Sequence, residues 1–126
     1  PKIIEGVFKG QLNLETLTPK RDFVYVNDVC NAFLQCLLTH SEERTFNVYN
    51  IGSGSSFSVQ QIVDKVISFT GKNPTITCNE KRRAVEVEDV KADYSKIKRE
   101  KKWHPSVSFD QGLKDMIEIY RKENDL

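Results

Sequence analysis

The chain has 126 residues, 38% of them hydrophobic, which fits one globular domain over residues 1–126 with a single core. Its 19 basic and 18 acidic side chains nearly cancel, so no global field draws it to nucleic acid or to an anionic membrane. The apolar runs fall far short of the ~20 residues of a membrane span and no signal peptide opens the chain, while Pro1 in place of methionine points to an excised piece or to processing.

From the N-terminus, Ile3, Ile4, Val7 and Phe8 recur on one face and Gly10 stops them, which predicts a helix over Lys2 to Lys9. A short strand follows near Leu12 to Leu14. The run DFVYV reads as a strand or extended lead, after which Asp28 is placed to cap a helix that buries Val29, Ala32, Phe33, Cys36 and Leu37 as one stripe. FNVYNI reads as a strand ending at the flexible GSGSS. Ser58 and Gln61 make a capping box for a helix through Val66 and Ile67 to Gly71.

In the second half, TITC is a short strand and VEVEDVKAD alternates like a half-exposed one. Asp93 or Ser95 begins a short helix to roughly Lys101, and Pro105 breaks the chain. Ser108 and Gln111 form a second capping box, ahead of a helix that carries Phe109, Leu113, Met116, Ile117 and Tyr120 at intervals of three and four. The charged tail from Arg121 to Asp125 is expected to fray. Cys30, Cys36 and Cys78 are odd in number and lack a Cys-x-x-Cys spacing, which fits reduced thiols in a cytoplasmic protein.

Three features invite a chemical reading. The loop Gly52-Ser53-Gly54-Ser55-Ser56 lies between a strand and a helix, where backbone amides can cradle phosphate. It lacks the third glycine of a dinucleotide fingerprint and the lysine of a Walker loop, so an ordinary turn is the stronger reading. His40 and His104 have no metal-ligand spacing and read as surface residues. The cluster Lys96, Lys98, Arg99, Lys101 and Lys102 beside Trp103 reads as a solvated helix face, with single-stranded RNA as the competing partner.

Four ordered segments carry a resemblance. Arg21-Asp22-Phe23-Val24-Tyr25-Val26-Asn27-Asp28 matches an RDF-x-x-V-x-D segment, and Tyr49-Asn50-Ile51-Gly52-Ser53-Gly54 with Ser58-Val59 matches YNIGSG-x-x-x-SV. Arg83, Glu86, Val87, Ala92, Asp93 and Ser95 follow the spacing of R-P-G-D/E-V and A-D-x-S-K. Trp103, Pro105, Ser108 and Gly112-Leu113 look like GW-x-P-x-x-S-x-x-x-GL. Together they resemble the C-terminal, substrate-binding part of NAD-dependent nucleotide-sugar epimerases and dehydratases, the extended short-chain dehydrogenase/reductase family. Ala84-Val85 in place of Pro-Gly, and Lys101-Lys102 in place of Leu-Gly, depart from the pattern. Leu14 to Lys20 looks like a variant found among sugar-nucleotide 4,6-dehydratases and epimerases.

The resemblance implies a mixed α/β fragment, helices with short strands, whose Rossmann half is missing: no GxxGxxG stands between a strand and a helix. It implies a nucleoside-diphosphate sugar as ligand, with Arg21 and Arg83 on the diphosphate and the backbone around Asn13 and Glu15 against the nucleobase. Planar guanidinium suits paired phosphate oxygens in a way lysine does not. On the residues alone, Arg21 reads instead as an ion pair with an acid such as Asp28. NAD would be held by the missing Rossmann domain, accepting a hydride from the sugar and returning it, with no catalytic residue, cofactor or metal on this chain. The family's YNIG strand joins the edge of the Rossmann sheet, so a homo-oligomer through exposed strand or helix surface is expected. A non-catalytic nucleotide-sugar sensor or interaction domain on the same fold is the alternative.

Overall fold

The computed structural model describes residues 1–39, 46–79 and 87–126. Its architecture is mixed α/β, with five helices and five short strands among the described residues. Helix α1, Lys2–Lys9, buries Ile4 and Val7 and stops at Gly10, whose φ of 77° lets its amide reach the carbonyls of Gly6 and Val7. Only glycine takes that left-handed cap cheaply. The chain reverses into β1, Gln11–Leu14, which sends Leu12 into the core and leaves Gln11 and Asn13 exposed.

The strands form two small sheets. Strand β1 pairs in parallel with β4, Thr75–Cys78. Strand β2, Lys20–Asp22, is the middle of three, antiparallel to β3, Ser56–Ser58, and parallel to β5, Asp89–Val90. The chain thus pairs in parallel in two places, residues 11–14 with 75–78 and residues 20–21 with 89–90. Of the alternating run VEVEDVKAD, two residues pair as β5, while Val85 and Glu86 lie outside the described residues.

Helix α3, Val59–Thr70, starts at the expected capping box, Ser58 accepting from the Gln61 amide at 3.1 Å and Gln61 accepting from the Ser58 amide at 2.9 Å. Helix α5, Phe109–Glu123, has half of one: Ser108 accepts from the Gln111 amide, but the Gln111 side chain turns down the helix to Asp115 at 2.7 Å. Its charged end stays helical as far as Glu123. Helices α1, α3 and α5 enclose Ile4, Val7, Leu12, Ile62, Val63, Val66, Leu113 and Ile117.

A single core was expected, and the structure has two apolar clusters. The second, Ala32, Ile97 and Trp103 with Cys36, Tyr49, Ile51 and Tyr94, joins α2, Val26–Leu38, to α4, Ser95–Lys101. A polar junction lies between them, Asp28 of α2 bonding to the Ser106 and Val107 amides ahead of α5.

Two further expectations fail here. Residues 46–51 form no strand: Tyr49 and Ile51 pack on the second cluster, Phe46 is 92% exposed, and no described segment lies alongside to supply ladder hydrogen bonds. Helix α2 does not bury one full stripe. Asp28, Ala32 and Cys36 face inward, while Phe33 and Leu37 are 62% and 73% exposed, with Leu34 and Leu38 beside them. The helix is apolar on two sides, and this chain covers one.

Candidate functional site

The expected ligand-facing residues lie along the paired stretches. Asn13, on β1, accepts a hydrogen bond from the hydroxyl of Thr77, its register partner on β4. Glu15 is exposed just beyond β1, in the connector 15–19. The opposing connector, between β4 and β5, leaves where the Asn79 amide donates to the Leu14 carbonyl at 3.1 Å and returns where the Lys20 amide donates to the Glu88 carbonyl at 2.8 Å. Arg83 belongs to residues 80–86 of that connector and lies outside the described residues.

Arg21 sits on the central strand β2, where its Nη1 donates to the carbonyls of Lys20 at 2.7 Å and Val87 at 2.8 Å. Those contacts hold Nη1 between two carbonyls at the point where the second connector returns. Asn13, Glu15 and Arg21 thus share one stretch of chain without sharing a contact: Asn13 bonds across to β4, and Arg21 across to residue 87. An Arg21–Asp28 ion pair is not the arrangement found, because Asp28 points into a different junction.

The sequence reading missed the residue that organises this region. The Asp22 carboxylate accepts four hydrogen bonds: from the Ser53 amide at 2.8 Å, the Ser53 hydroxyl at 2.6 Å, the Gly54 amide at 2.9 Å and the Ala92 amide at 3.0 Å. Gly52 permits that approach, since a Cβ there would stand 2.5 Å from the Ala92 Cβ and 2.8 Å from Asp22 Oδ2. Burial opposes the charge, but the Ser53 hydroxyl and the Ala92, Ser53 and Gly54 amides outweigh it and hold the carboxyl below the ordinary range. An acid directly before a strand break, with a Gly-Ser loop elsewhere to bind it, was the available signal.

Asp28 makes the second junction. It was expected to cap its own helix, yet Tyr25 is the N-cap and Asp28 lies in the first turn, 1% exposed. Its carboxylate reaches the far loop instead, accepting from the Ser106 amide at 3.0 Å, the Ser106 hydroxyl at 2.6 Å and the Val107 amide at 3.0 Å. A carboxylate this deep needs several donors, and one helix terminus cannot supply them all. Burial again opposes ionisation, while the Ser106 hydroxyl, the Val107 and Ser106 amides and nearby His104 hold the pKa down.

Competing chemistries fare poorly. The Gly-Ser loop has two of its amides, Ser53 and Gly54, occupied by Asp22, so it does not fit NAD as a phosphate cradle. Trp103 is 4% exposed with its indole N–H donating to the Asp28 carbonyl at 2.9 Å, which removes it as a stacking platform for bases. In the basic cluster, Lys96 donates to the Val48 carbonyl at 3.1 Å and Lys101 to the Thr39 carbonyl that ends α2 at 2.7 Å. Among the described residues no group of three His, Cys, Asp or Glu could hold a metal, and no helix is long and apolar enough to cross a membrane. His104 is exposed; His40 lies outside the described residues.

A family model described as GDP-mannose 4,6 dehydratase matches residues 2–116. The chain is 30% identical over 111 residues to the UDP-N-acetyl-alpha-D-glucosaminuronate decarboxylase of Bacillus cytotoxicus, covering 83% of this chain and 34% of that protein. It superposes on the UDP-glucose 4-epimerase of Thermotoga maritima, solved with UDP-glucose, with a TM-score of 0.80 and 31% identity over 97% of this chain and 38% of that one. With MoeE5 in complex with UDP-glucuronic acid and NAD, the TM-score is 0.85 at 26% identity, covering 97% of this chain and 40% of that one. The chain spans about a third of the length of the curated relatives it matches.

Proposed function

The chain belongs to the family of NAD-dependent nucleotide-sugar epimerases and dehydratases, and from that premise we propose that residues 1–126 form the nucleotide-sugar-binding portion of such an enzyme. Arg21 and Arg83 hold the diphosphate, and the chain around Asn13 and Glu15 lies along the nucleobase. The observation that carries this reading is Arg21 itself: two carbonyl contacts orient its guanidinium on the middle strand of a three-stranded sheet, beside the returning end of the connector that bears Arg83. A donor ordered in advance loses less entropy when it meets an anion. Because the Gly-Ser loop does not fit NAD, that cofactor is held outside these residues, and no reaction step is assigned to side chains of this chain.

Two further parts of the reading concern partners. The outward face of α2, with Phe33, Leu34, Leu37 and Leu38, and the exposed Phe46 and Val48 form the contact for the cofactor-binding portion. Where that portion is absent, a second copy covers the same face. Three free cysteines accord with a reducing, cytoplasmic setting.

The test is binding of nucleoside diphosphates to the full-length protein and its Arg21→Ala and Arg83→Ala variants. Each should lose about ten- to a hundredfold in affinity, the scale of a charge-assisted hydrogen bond, and Arg→Lys should recover only part. The loss should appear in KM more than in kcat, because a contact made equally in ground and transition states does not speed the chemical step. Unchanged affinity in both variants overturns the assignment.

A further inference from the structure

We infer that Asp22 is a positioning residue for diphosphate binding, acting through Arg21; this rests on the reading of Arg21 given above. Arg21 and Asp22 are consecutive on β2, so their side chains leave opposite faces of the strand. Arg21 faces two backbone carbonyls and Asp22 faces three amides and a hydroxyl. Both strands that flank Arg21 are fastened by that one carboxylate. Its Oδ1 takes the Ser53 amide and hydroxyl and its Oδ2 the Gly54 amide, which anchors the loop entering β3, whose Phe57 is the register partner of Arg21. Oδ2 also takes the Ala92 amide, which anchors the chain leaving β5, whose Val90 is the other register partner.

The segment 87–92 is therefore held at both ends by neighbouring side chains, Val87 by the Arg21 guanidinium and Ala92 by the Asp22 carboxylate. Among the described residues, the two-residue β5 ladder and the Lys20 amide on the Glu88 carbonyl are the backbone ties of this segment to β2. Releasing Ala92 frees the strand whose upstream carbonyl orients Arg21. Substituting Asp22→Asn keeps the shape but replaces one accepting oxygen by an N–H donor, so at least one amide among Ser53, Gly54 and Ala92 loses its partner.

The experiment compares the full-length wild type with Asp22→Asn, Arg21→Ala and the double variant, titrated with UDP, dTDP and GDP and with the matching nucleosides. Expected is a loss of about tenfold for the preferred diphosphate in Asp22→Asn, with nucleoside affinity unchanged, and a double variant no weaker than Arg21→Ala alone, the signature of residues acting through one contact. General loosening of the fold would weaken diphosphate and nucleoside alike. Ser53→Ala, which removes one of the four donors and spares the charge, should give a smaller loss in the same diphosphate-selective sense if Asp22→Asn does not fold. Arg21→Ala weakened with both Asp22→Asn and Ser53→Ala at wild-type affinity overturns this inference and leaves the function standing, as do strictly additive losses. Arg21→Ala at wild-type affinity overturns this inference; Arg83→Ala at wild-type affinity as well, or a wild type that binds none of the three diphosphates, overturns the function too.

Discussion

Trp103 and Asp28 are joined twice over across 75 positions of sequence: the indole N–H donates to the Asp28 carbonyl at 2.9 Å, and the loop following the tryptophan donates to the Asp28 carboxylate. The junction fixes the start of α2 against the chain that leads into α5. Ala32, Trp103 and Ile97 pack above it as the second apolar cluster.

Replacing Asp28 should therefore be costly. Asp28→Ala leaves the Ser106 and Val107 amides without their acceptor in a site nearly closed to water, an expected loss of about 2–4 kcal/mol. Equilibrium unfolding in urea measures it, and a change below ~1 kcal/mol would show that water replaces the carboxylate.

Acid should act through the same groups. Asp22 and Asp28 both have folded-state pKa values below the ordinary 3.8, so each stabilises the fold while ionised. That stabilisation is fully present above about pH 5, declines as the pH falls through 3.8, and is gone once the pH passes below the depressed folded-state values. The melting temperature should fall steeply in that window for the wild type and less steeply for Asp28→Asn. Parallel acid limbs for the two proteins would remove Asp28 from this account.

The uncovered side of α2 should make the 126-residue chain self-associate. Phe33 and Leu37 are largely exposed one helical turn apart, with Leu38 exposed next to Leu37, and Phe46 and Val48 are exposed as well. Sedimentation velocity should detect dimers or larger species that diminish in Phe33→Ser and Leu37→Ser, with melting temperature little altered because neither side chain is in either core. A sharp monomer at high concentration would contradict this.

The same chain should not bind NAD at micromolar concentration, since two amides of its only Gly-Ser loop already serve Asp22. Calorimetry is the direct check. Tight stoichiometric binding would mean that the loop releases Asp22 to take phosphate.

Local pattern was enough for much of this protein. Apolar residues spaced by three and four, closed by Gly10 and Gly71 and opened by Ser58 and Ser108, marked α1, α3 and α5, because each signal lies within a few residues of the hydrogen bond it governs. The ordered motifs around Arg21, Tyr49 and Trp103 marked the family. Tertiary structure decided the partners. Periodicity reports that a helix has an apolar face, not what covers it, so α2 was expected to bury a stripe that includes Phe33 and Leu37 although both are largely exposed. FNVYNI has the composition of a strand, but a strand exists only beside another, and no described segment lies there. Of the acids of the RDF-x-x-V-x-D motif, Asp28 read as a helix cap or an ion-pair partner of Arg21, and Asp22 had no role. Their acceptors are satisfied by amides 31 and 70 positions away for Asp22 and 78 and 79 for Asp28, and such distant pairings are set by how the chain packs, where no local rule reaches.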